Sequence, residues 1–308
     1  MQCVSCGGKE FSKITDYIYK ERLFKQMFPG LRIMKCRNCG LCQVCHQEIE
    51  KSKLDYYYEN IYRDKAKIGI KLSSGDVSRF RARGKALVGL AKKYLPESVK
   101  TPAVFELGAG YGFNLAEFKK AYRDCSLFTD EIDKTIEYPP EVNIASPDKG
   151  QYDVVLLSHV LEHLKDPKEY IYTVLKGLKK DGIMIVETPN DITEVLIHRG
   201  NQPYYHEPHI TFFDKDSISY FFKINFSDSL MMLRVSTAGD VLRITSGTLA
   251  AAKRRLRDLI SCFPAVFKTL INIKSLLFGS RAVEKIDYTN DSDEGNREFL
   301  RVVLRKIS

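Results

Sequence analysis

The chain has 308 residues, 44% hydrophobic and 28% charged, a composition that excludes a disordered or fibrous chain. Its net charge of +9 favours acidic partners: nucleotides, nucleotide-linked sugars, nucleic acid or an anionic membrane surface. The opening MQCVSCGGKEF has no apolar run, so no secretory signal is expected, and the longest apolar candidate, 259–278, is interrupted by Pro264, Lys268 and Lys274. The expectation is a cytoplasmic protein.

The eight cysteines fit reduced thiols that hold metal better than a disulfide framework. Cys3-x-x-Cys6 and Cys36-x-x-Cys39 each place two thiolates on one side of a tight turn. Together they form the four-sulfur tetrahedral set that Zn²⁺ prefers. Gly40 behind the second pair suits the left-handed backbone of such a knuckle. Cys42 and Cys45 continue the spacing, and are read as spare thiols in preference to ligands of a second metal or an iron–sulfur cluster. His46 is expected at the surface. Residues 1–50 are thus a zinc-ribbon module, stabilised mainly by its metal because so short a segment buries little core.

Residues 51–63 are polar and aromatic with no clean period and read as a linker. A helix is expected over Val77 to Tyr94, stopped by Leu95-Pro96, so that 51–100 forms linker and packing helix. An apolar strand, Ala103 to Leu107, then runs into Gly108-x-Gly110-x-Gly112 and a helix from about Phe113. A second strand, Ser126 to Thr129, ends at Asp130-Glu131. A carboxylate in that place accepts the ribose hydroxyls of a bound nucleoside. The turn is compatible with NAD or with S-adenosylmethionine, and Glu106 ahead of it favours the second. The buried strand Tyr152 to Ser158 ends in HVLEHL, and Asp166-Pro167 caps a helix expected to reach Lys180. After Gly182 come the strand Ile183 to Glu187 and Thr188-Pro189-Asn190. This alternation is that of a doubly wound α/β sheet.

The stretches VFELGAGYGF, YDVVLLSHVLEHLKDP and IMIVETPN resemble the class I S-adenosylmethionine-dependent methyltransferases over roughly 80–240. Joined to the head CVSC…CRNCG, they look like the zinc-ribbon-bearing sugar C-methyltransferases, which act on deoxysugars carried by a nucleotide diphosphate. The resemblance implies an α/β, Rossmann-like methyltransferase sheet with S-adenosylmethionine and Zn²⁺ as cofactors. It implies donor contacts from Glu106, Gly108, Ala109, Gly110, Gly112, Asp130, Ser158 and His159. Ala145-Ser146 or Asp148 is expected near the adenine, and Glu162 and His163 are expected to hold the loop over the donor. The tyrosines from Tyr56 to Tyr62 resemble an aromatic segment that folds over the active site. The relatives' second α/β domain is expected to be absent or replaced here.

That family carries a Tyr-His-Glu-His run followed by an aromatic pair. Here the run is Tyr205-His206-Glu207-Pro208-His209, with Pro208 inserted, then Phe212-Phe213. Methylation beside a ketone needs a base for the C–H proton and a donor for the enolate oxygen, whereas a hydroxyl acceptor needs only a base. His209, or else His206, is the expected base, Tyr205 the hydrogen-bond donor and Glu207 the group orienting the imidazole. Phe212-Phe213 is read as core.

The core spans 101–246 and includes a strand from Met231 to Val235. Residues 247–290 read as a basic amphipathic helical insertion, with Arg254, Arg255 and Arg257 beside Leu256, Leu259 and Ile260. It covers the site, forms a dimer contact, packs on the core or lies on an anionic membrane through 250–280. Residues 291–308 supply a final core strand. The favoured function is methylation of a small molecule, a nucleotide-linked sugar or surface-glycan precursor. The alternatives are a zinc-ribbon RNA methyltransferase, a small-molecule O-methyltransferase unrelated to sugars, and a non-enzymatic binding protein. Nucleic acid is not the expected partner, because basic residues are scattered.

Overall fold

The computed structural model describes residues 1–19, 22–62, 74–193, 196, 208–241, 291–293 and 297–308. The elements, in chain order, are β1 (Phe11–Asp16), α1 (Arg22–Met27), β2 (Arg32–Cys36), β3 (Cys42–Gln43), α2 (Lys51–Asn60), α3 (Ser74–Tyr94), β4 (Ala103–Leu107), α4 (Phe113–Ala121) and β5 (Ser126–Asp130). There follow β6 (Val142–Ile144), β7 (Tyr152–Ser158), α5 (Pro167–Gly177), β8 (Leu178–Pro189), β9 (Thr211–Phe212), α6 (Lys215–Phe226), β10 (Leu230–Val241) and β11 (Arg297–Lys306). The insertion 247–290, with its 250–280 membrane face, lies outside the described residues. Among the described residues no helix is long and apolar enough to cross a membrane.

A seven-stranded sheet runs β10-β11-β8-β7-β4-β5-β6. From β8 to β6 its pairings are parallel, and β11 runs antiparallel to both β8 and β10. The central strands are apolar on both faces because both faces are covered. On β4 and β7, Val104, Val154 and Leu156 pack against Leu87 and Leu90 of α3 and Leu115 and Phe118 of α4. Their alternating neighbours Phe105, Val155 and Leu157 share a core with Ile171 of α5, Phe222 of α6 and also Cys3 and Cys36. The cysteine head therefore docks on the α5/α6 face, where Asn225 Nδ2 donates to the Ser5 carbonyl at 3.0 Å.

The N-terminal module is a four-stranded sheet, β1-β2-β3-β9, whose last strand comes from beyond residue 210. Its core unites Tyr17, Phe24, Phe28 and Ile33 with Leu54 and Tyr57 of α2 and with Ile210 and Phe212. Two expectations are corrected here. Residues 51–60 are a helix, because Leu54 and Tyr57 fall on one side and bury in this core. His46 is 5% exposed. Its Nδ1 donates to the Lys165 carbonyl at 2.8 Å, and Nε2 lies 3.2 Å from the Thr211 hydroxyl. Nε2 also lies 3.2 Å from the Ile210 carbonyl, and burial holds the ring's pKa below the ordinary value.

Elsewhere the expected strands recur, and Asp166 caps α5 by accepting from the Glu169 N–H at 3.1 Å. That helix stops at Gly177 rather than Lys180, because Leu178 already enters β8 and pairs with Tyr152. A Cβ on Gly177 would lie 2.1 Å from the Pro147 carbonyl oxygen, so the packing there excludes a side chain. Phe212 and Phe213 are core, as expected.

Glu187 and Arg301, 0% and 1% exposed at the side chain, pair at 2.7 Å between β8 and β11. Replacing Arg301 with Met should lower the unfolding free energy by about 3–5 kcal/mol, because it leaves a buried carboxylate with reduced compensation. Urea denaturation measures this, and an unchanged midpoint would show that the pair contributes nothing.

Candidate active site

A cavity of about 1170 Å³ opens at the carboxyl ends of β4, β5 and β7. A single drug-sized ligand needs about 300–1,000 Å³, so there is room for two reactants. One end is the glycine turn. Gly108 and Gly110 have φ of 63° and 59°, which an L side chain rarely adopts, and the Gly108 N–H donates to the Asp130 carbonyl at 2.9 Å. The Glu131 carboxylate accepts from Gly110 N–H at 2.8 Å. Asp130 instead faces Lys134 at 3.4 Å. Ile132 beside them leaves an apolar side chain on the cavity, 39% exposed.

Glu106 lies beneath the turn, buried. One oxygen accepts from Asn114 Nδ2 at 2.6 Å, and the other has no hydrogen-bond partner. Burial pushes its carboxyl up to about 8, against the opposing pull of the Asn114 bond.

The facing wall is built by α2 and by the short turn after β7. Leu54, Tyr58 and Tyr62 line it with His159, His163, Lys165 and Tyr170. The Tyr58 hydroxyl is buried without a partner, and burial holds its pKa well above the ordinary value, so it stays a donor. Behind this wall lies Glu162, fully buried. Its Oε2 accepts from the Thr188 hydroxyl at 2.9 Å. Its Oε1 faces three imidazole nitrogens: His159 Nδ1 at 3.3 Å, His163 Nε2 at 3.8 Å and His209 Nε2 at 3.9 Å. Burial would raise the Glu162 carboxyl, but His159 and His163 outweigh it and hold it low. Burial lowers His163. His159 sits at φ 56°, its Nε2 3.4 Å from Glu187. Burial and Arg83 disfavour its charged form, and the two carboxylates outweigh them and raise its pKa.

The cysteine head lies apart from this cavity. Cys3 and Cys39 sulfurs are 3.5 Å apart, Cys6 and Cys36 sulfurs 3.7 Å, and all four lie within 4.8 Å of one another. Cys42 and Cys45 fall outside the group. Burial pushes the Cys42 thiol up to about 12, as suits an inert thiol.

Of the expected donor contacts, Glu106, Gly108, Ala109, Gly110, Asp130, Ser158 and His159 line the cavity. Gly112 does not. It starts α4 at φ 72° against the Tyr138 ring. Ala145, Ser146 and Asp148 do not line it either, their turn being tied to the Tyr152 hydroxyl through the Ser146 carbonyl at 2.9 Å. Of the expected catalytic run, Tyr205, His206 and Glu207 lie outside the described residues. His209 is 6% exposed and stacks edge-on behind His163, with ring centroids 4.6 Å apart. The sequence reading overlooked Glu131 as the carboxylate on the glycine turn, and Tyr58 and Arg83 as wall residues. The Asp130-Glu131 pair held the first signal, but its choice needs the strand's exit direction.

Glu106 makes stability depend on pH. The folded state holds this proton longer than the unfolded chain does, so stability falls as pH rises from about 4.5 and levels off above about 8. Glu106→Gln cannot ionise. Its stability relative to wild type, measured by urea denaturation, should therefore climb between those limits. A constant difference would show that Glu106 does not titrate in this range.

Residues 79–223 match the family model described as a methyltransferase domain. A ubiquinone biosynthesis O-methyltransferase of Caulobacter vibrioides is 47% identical over 47 residues, 15% of this chain and 19% of that protein. The match thus spans about a fifth of the curated relative's length. Among solved structures, the plantazolicin methyltransferase BpumL in complex with SAH is 14% identical, with 83% of this chain and 94% of that one covered at a TM-score of 0.48. A possible histamine N-methyltransferase of Thermotoga maritima is 13% identical, covering 83% and 100% at a TM-score of 0.46. Likeness at this level says nothing about the substrate. Over residues 79–223 the chain is similar to a methyltransferase domain.

Proposed function

We propose that the chain transfers a methyl group from S-adenosylmethionine to a small, hydroxyl-rich acceptor, a nucleotide-linked sugar or surface-glycan precursor, at carbon or oxygen. One observation carries this reading: a single cavity joins the glycine turn and its acid to a wall of tyrosine, imidazole and carboxylate.

The residues fit the donor. Glu131, beside Gly110, suits the ribose hydroxyls, and Ile132 offers an apolar surface to the adenine. The unpartnered buried oxygen of Glu106 suits the ammonium end. When bound, S-adenosylmethionine supplies an electrophilic methyl group. The chain's task is then to hold an acceptor in line with it and keep water out.

Tyr58, Tyr62 and Tyr170 give the wall apolar faces for a sugar ring, and the Tyr58 hydroxyl donates to an acceptor oxygen. Asp55, Glu59, Asp166 and Glu169 share this wall with Lys51 and Lys165. Lys51 is paired to Asp55 at 2.7 Å. Such mixed charge suits hydroxyls better than it suits a phosphate, so the carrier end of the acceptor sits towards the mouth. His163 lines the cavity, with Glu162 and His209 behind it, and is the imidazole that meets the acceptor. Tyr205, His206 and Glu207 shortly precede His209 in the sequence, and the roles proposed for them are hydrogen-bond donor, second imidazole and orienting carboxylate. The basic 250–280 stretch rests on the anionic inner face of the membrane, where glycan precursors are assembled.

The four cysteines hold Zn²⁺ as a structural ion. Bonds of ~2.3 Å set tetrahedral sulfurs about 3.8 Å apart, near the separations observed. A second functional reading, O-methylation of a small molecule unrelated to sugars, is favoured by the short stretch shared with the Caulobacter vibrioides O-methyltransferase.

Two outcomes are expected. Purified protein given methyl-labelled S-adenosylmethionine and extract from cells lacking the gene should label a nucleotide-sugar or lipid-linked glycan fraction. Label in a non-sugar small molecule would establish the second reading, and label in RNA would overturn both. Separately, Cys39→Ser should lose bound zinc, and amides of Thr211–Phe212 should exchange at least about tenfold faster, since β9 pairs only with the ribbon. Zinc content and hydrogen exchange measure this. Unchanged exchange in the zinc-free variant would separate the metal from the sheet.

A further inference from the structure

Glu162, His163 and His209 gather a carboxylate and two imidazoles, with ligating atoms within 4.8 Å of one another. The two Nε2 atoms lie 3.8 Å and 3.9 Å from the same oxygen, Glu162 Oε1. That oxygen is buried and makes no hydrogen bond. A neutral network would bring one N–H to within about 2.7–3.2 Å of it. His159 Nδ1, at 3.3 Å, is the nearest nitrogen to it, and the two Nε2 atoms stand beyond hydrogen-bonding distance of it. An ion with bonds of ~2.0–2.1 Å to nitrogen and oxygen sets its tetrahedral ligands about 3.3 Å apart. A closure of about 0.5 Å brings both nitrogens to that separation from Glu162 Oε1.

The backbone holds these ligands in place. Glu162 and His163 sit on the turn immediately after β7, and the Ile210 N–H donates to the Glu162 carbonyl at 2.9 Å, fixing His209 beside them. Thr188 occupies the second oxygen of Glu162, which leaves Oε1 as the single ligating atom. Of the three, His163 lines the cavity, which sets the group at the cavity's wall.

We propose that Glu162, His163 and His209 bind a divalent first-row transition cation whose open position takes an oxygen of the methyl acceptor. Two imidazoles and one carboxylate suit Zn²⁺, Fe²⁺, Co²⁺ or Mn²⁺. The site deepens the methyltransferase reading and rests on it for its chemistry. A hydroxyl held by the cation gives up its proton to water at lower pH. Its electron pair then forms the O–C bond as the C–S bond of the donor breaks, and the electron pair of that bond remains on sulfur. One proton is released per transfer.

The test is Co²⁺ titration of the full chain after metal removal, followed by absorption. The four-cysteine site gives intense thiolate-to-cobalt bands in the near ultraviolet. The proposed site should bind a second equivalent showing only weak visible bands. His209→Gln and His163→Gln should each weaken that second equivalent more than about 100-fold. The thiolate bands, unchanged, would show that each variant folds. Co²⁺ binding confined to the thiolate site in wild type would overturn the metal site, as would full retention of the second equivalent in both variants. Calorimetry with S-adenosylhomocysteine on the same preparation tests the donor end alone. Its failure to bind would sink the methyltransferase reading whatever the cobalt result.

Discussion

Glu187 is the point on which three distant parts of the chain converge. Its carboxylate, fully buried at the end of β8, meets Arg301 of β11 at 2.7 Å, Arg83 of α3 at 2.8 Å and His159 after β7 at 3.4 Å. Burial alone would raise its pKa, but Arg301 and Arg83 outweigh it and hold the carboxyl far below the ordinary range. A charge in such a place is tolerated only while its partners stay, so each partner's position is enforced by the cost of leaving it. Arg301 is opposite Glu187 in the β8/β11 register, and its Nη1 reaches Asp291 at 2.8 Å. One buried acid therefore fixes the final strand, the helix over the sheet and the left-handed His159 at the cavity floor. His159 in turn leans on Glu162 at 3.3 Å, so the same constraint reaches the tyrosine and imidazole wall.

The second constraint enters from the ribbon. Val44 N–H donates to the Ile210 carbonyl at 3.0 Å, and the Tyr17 hydroxyl donates to the His209 carbonyl at 3.0 Å. The His46 ring bridges Lys165 and Thr211. The module that carries the cysteines is thus the support on which His209 is mounted. Its remoteness from the donor end does not make it an appendage.

Much of this was legible in the sequence where the signal is local. The bounds of β4 and β7 follow from continuous apolar runs closed by glycine, or by serine and histidine. The α5 cap follows from Asp166-Pro167, and the cysteine set from its spacing. The rest depends on partners far along the chain. In α2 only Leu54 and Tyr57 are buried, too thin a stripe to show a period, and the core they enter is completed by Ile210 and Phe212. His46 looks like a surface residue until β9 arrives beside it, 165 positions later. Glu187 reads as one acid in an apolar strand, because Arg301 is 114 residues away. The choice between Asp130 and Glu131 turns on how the chain leaves β5. The chain bends so that Glu131 folds back over the glycine turn while Asp130 faces Lys134.

The two ends of the cavity differ in how they are held. At the glycine turn the groups are backbone and acids at or next to strand termini, which a parallel sheet places. On the facing wall the groups come from a turn, a helix ahead of the domain and the segment leading into a two-residue strand of another sheet. Such a wall could be expected to drift. Ile210 N–H to Glu162 carbonyl holds against this by tying that segment to the turn by main chain, and His46 ties both to the ribbon. Side chains on that wall can then vary in identity without losing position, whereas the turn and the ribbon pairing cannot move without carrying Glu162, His163 and His209 with them. The chemistry of this wall is written in side chains, and its geometry is set by the backbone that joins two sheets.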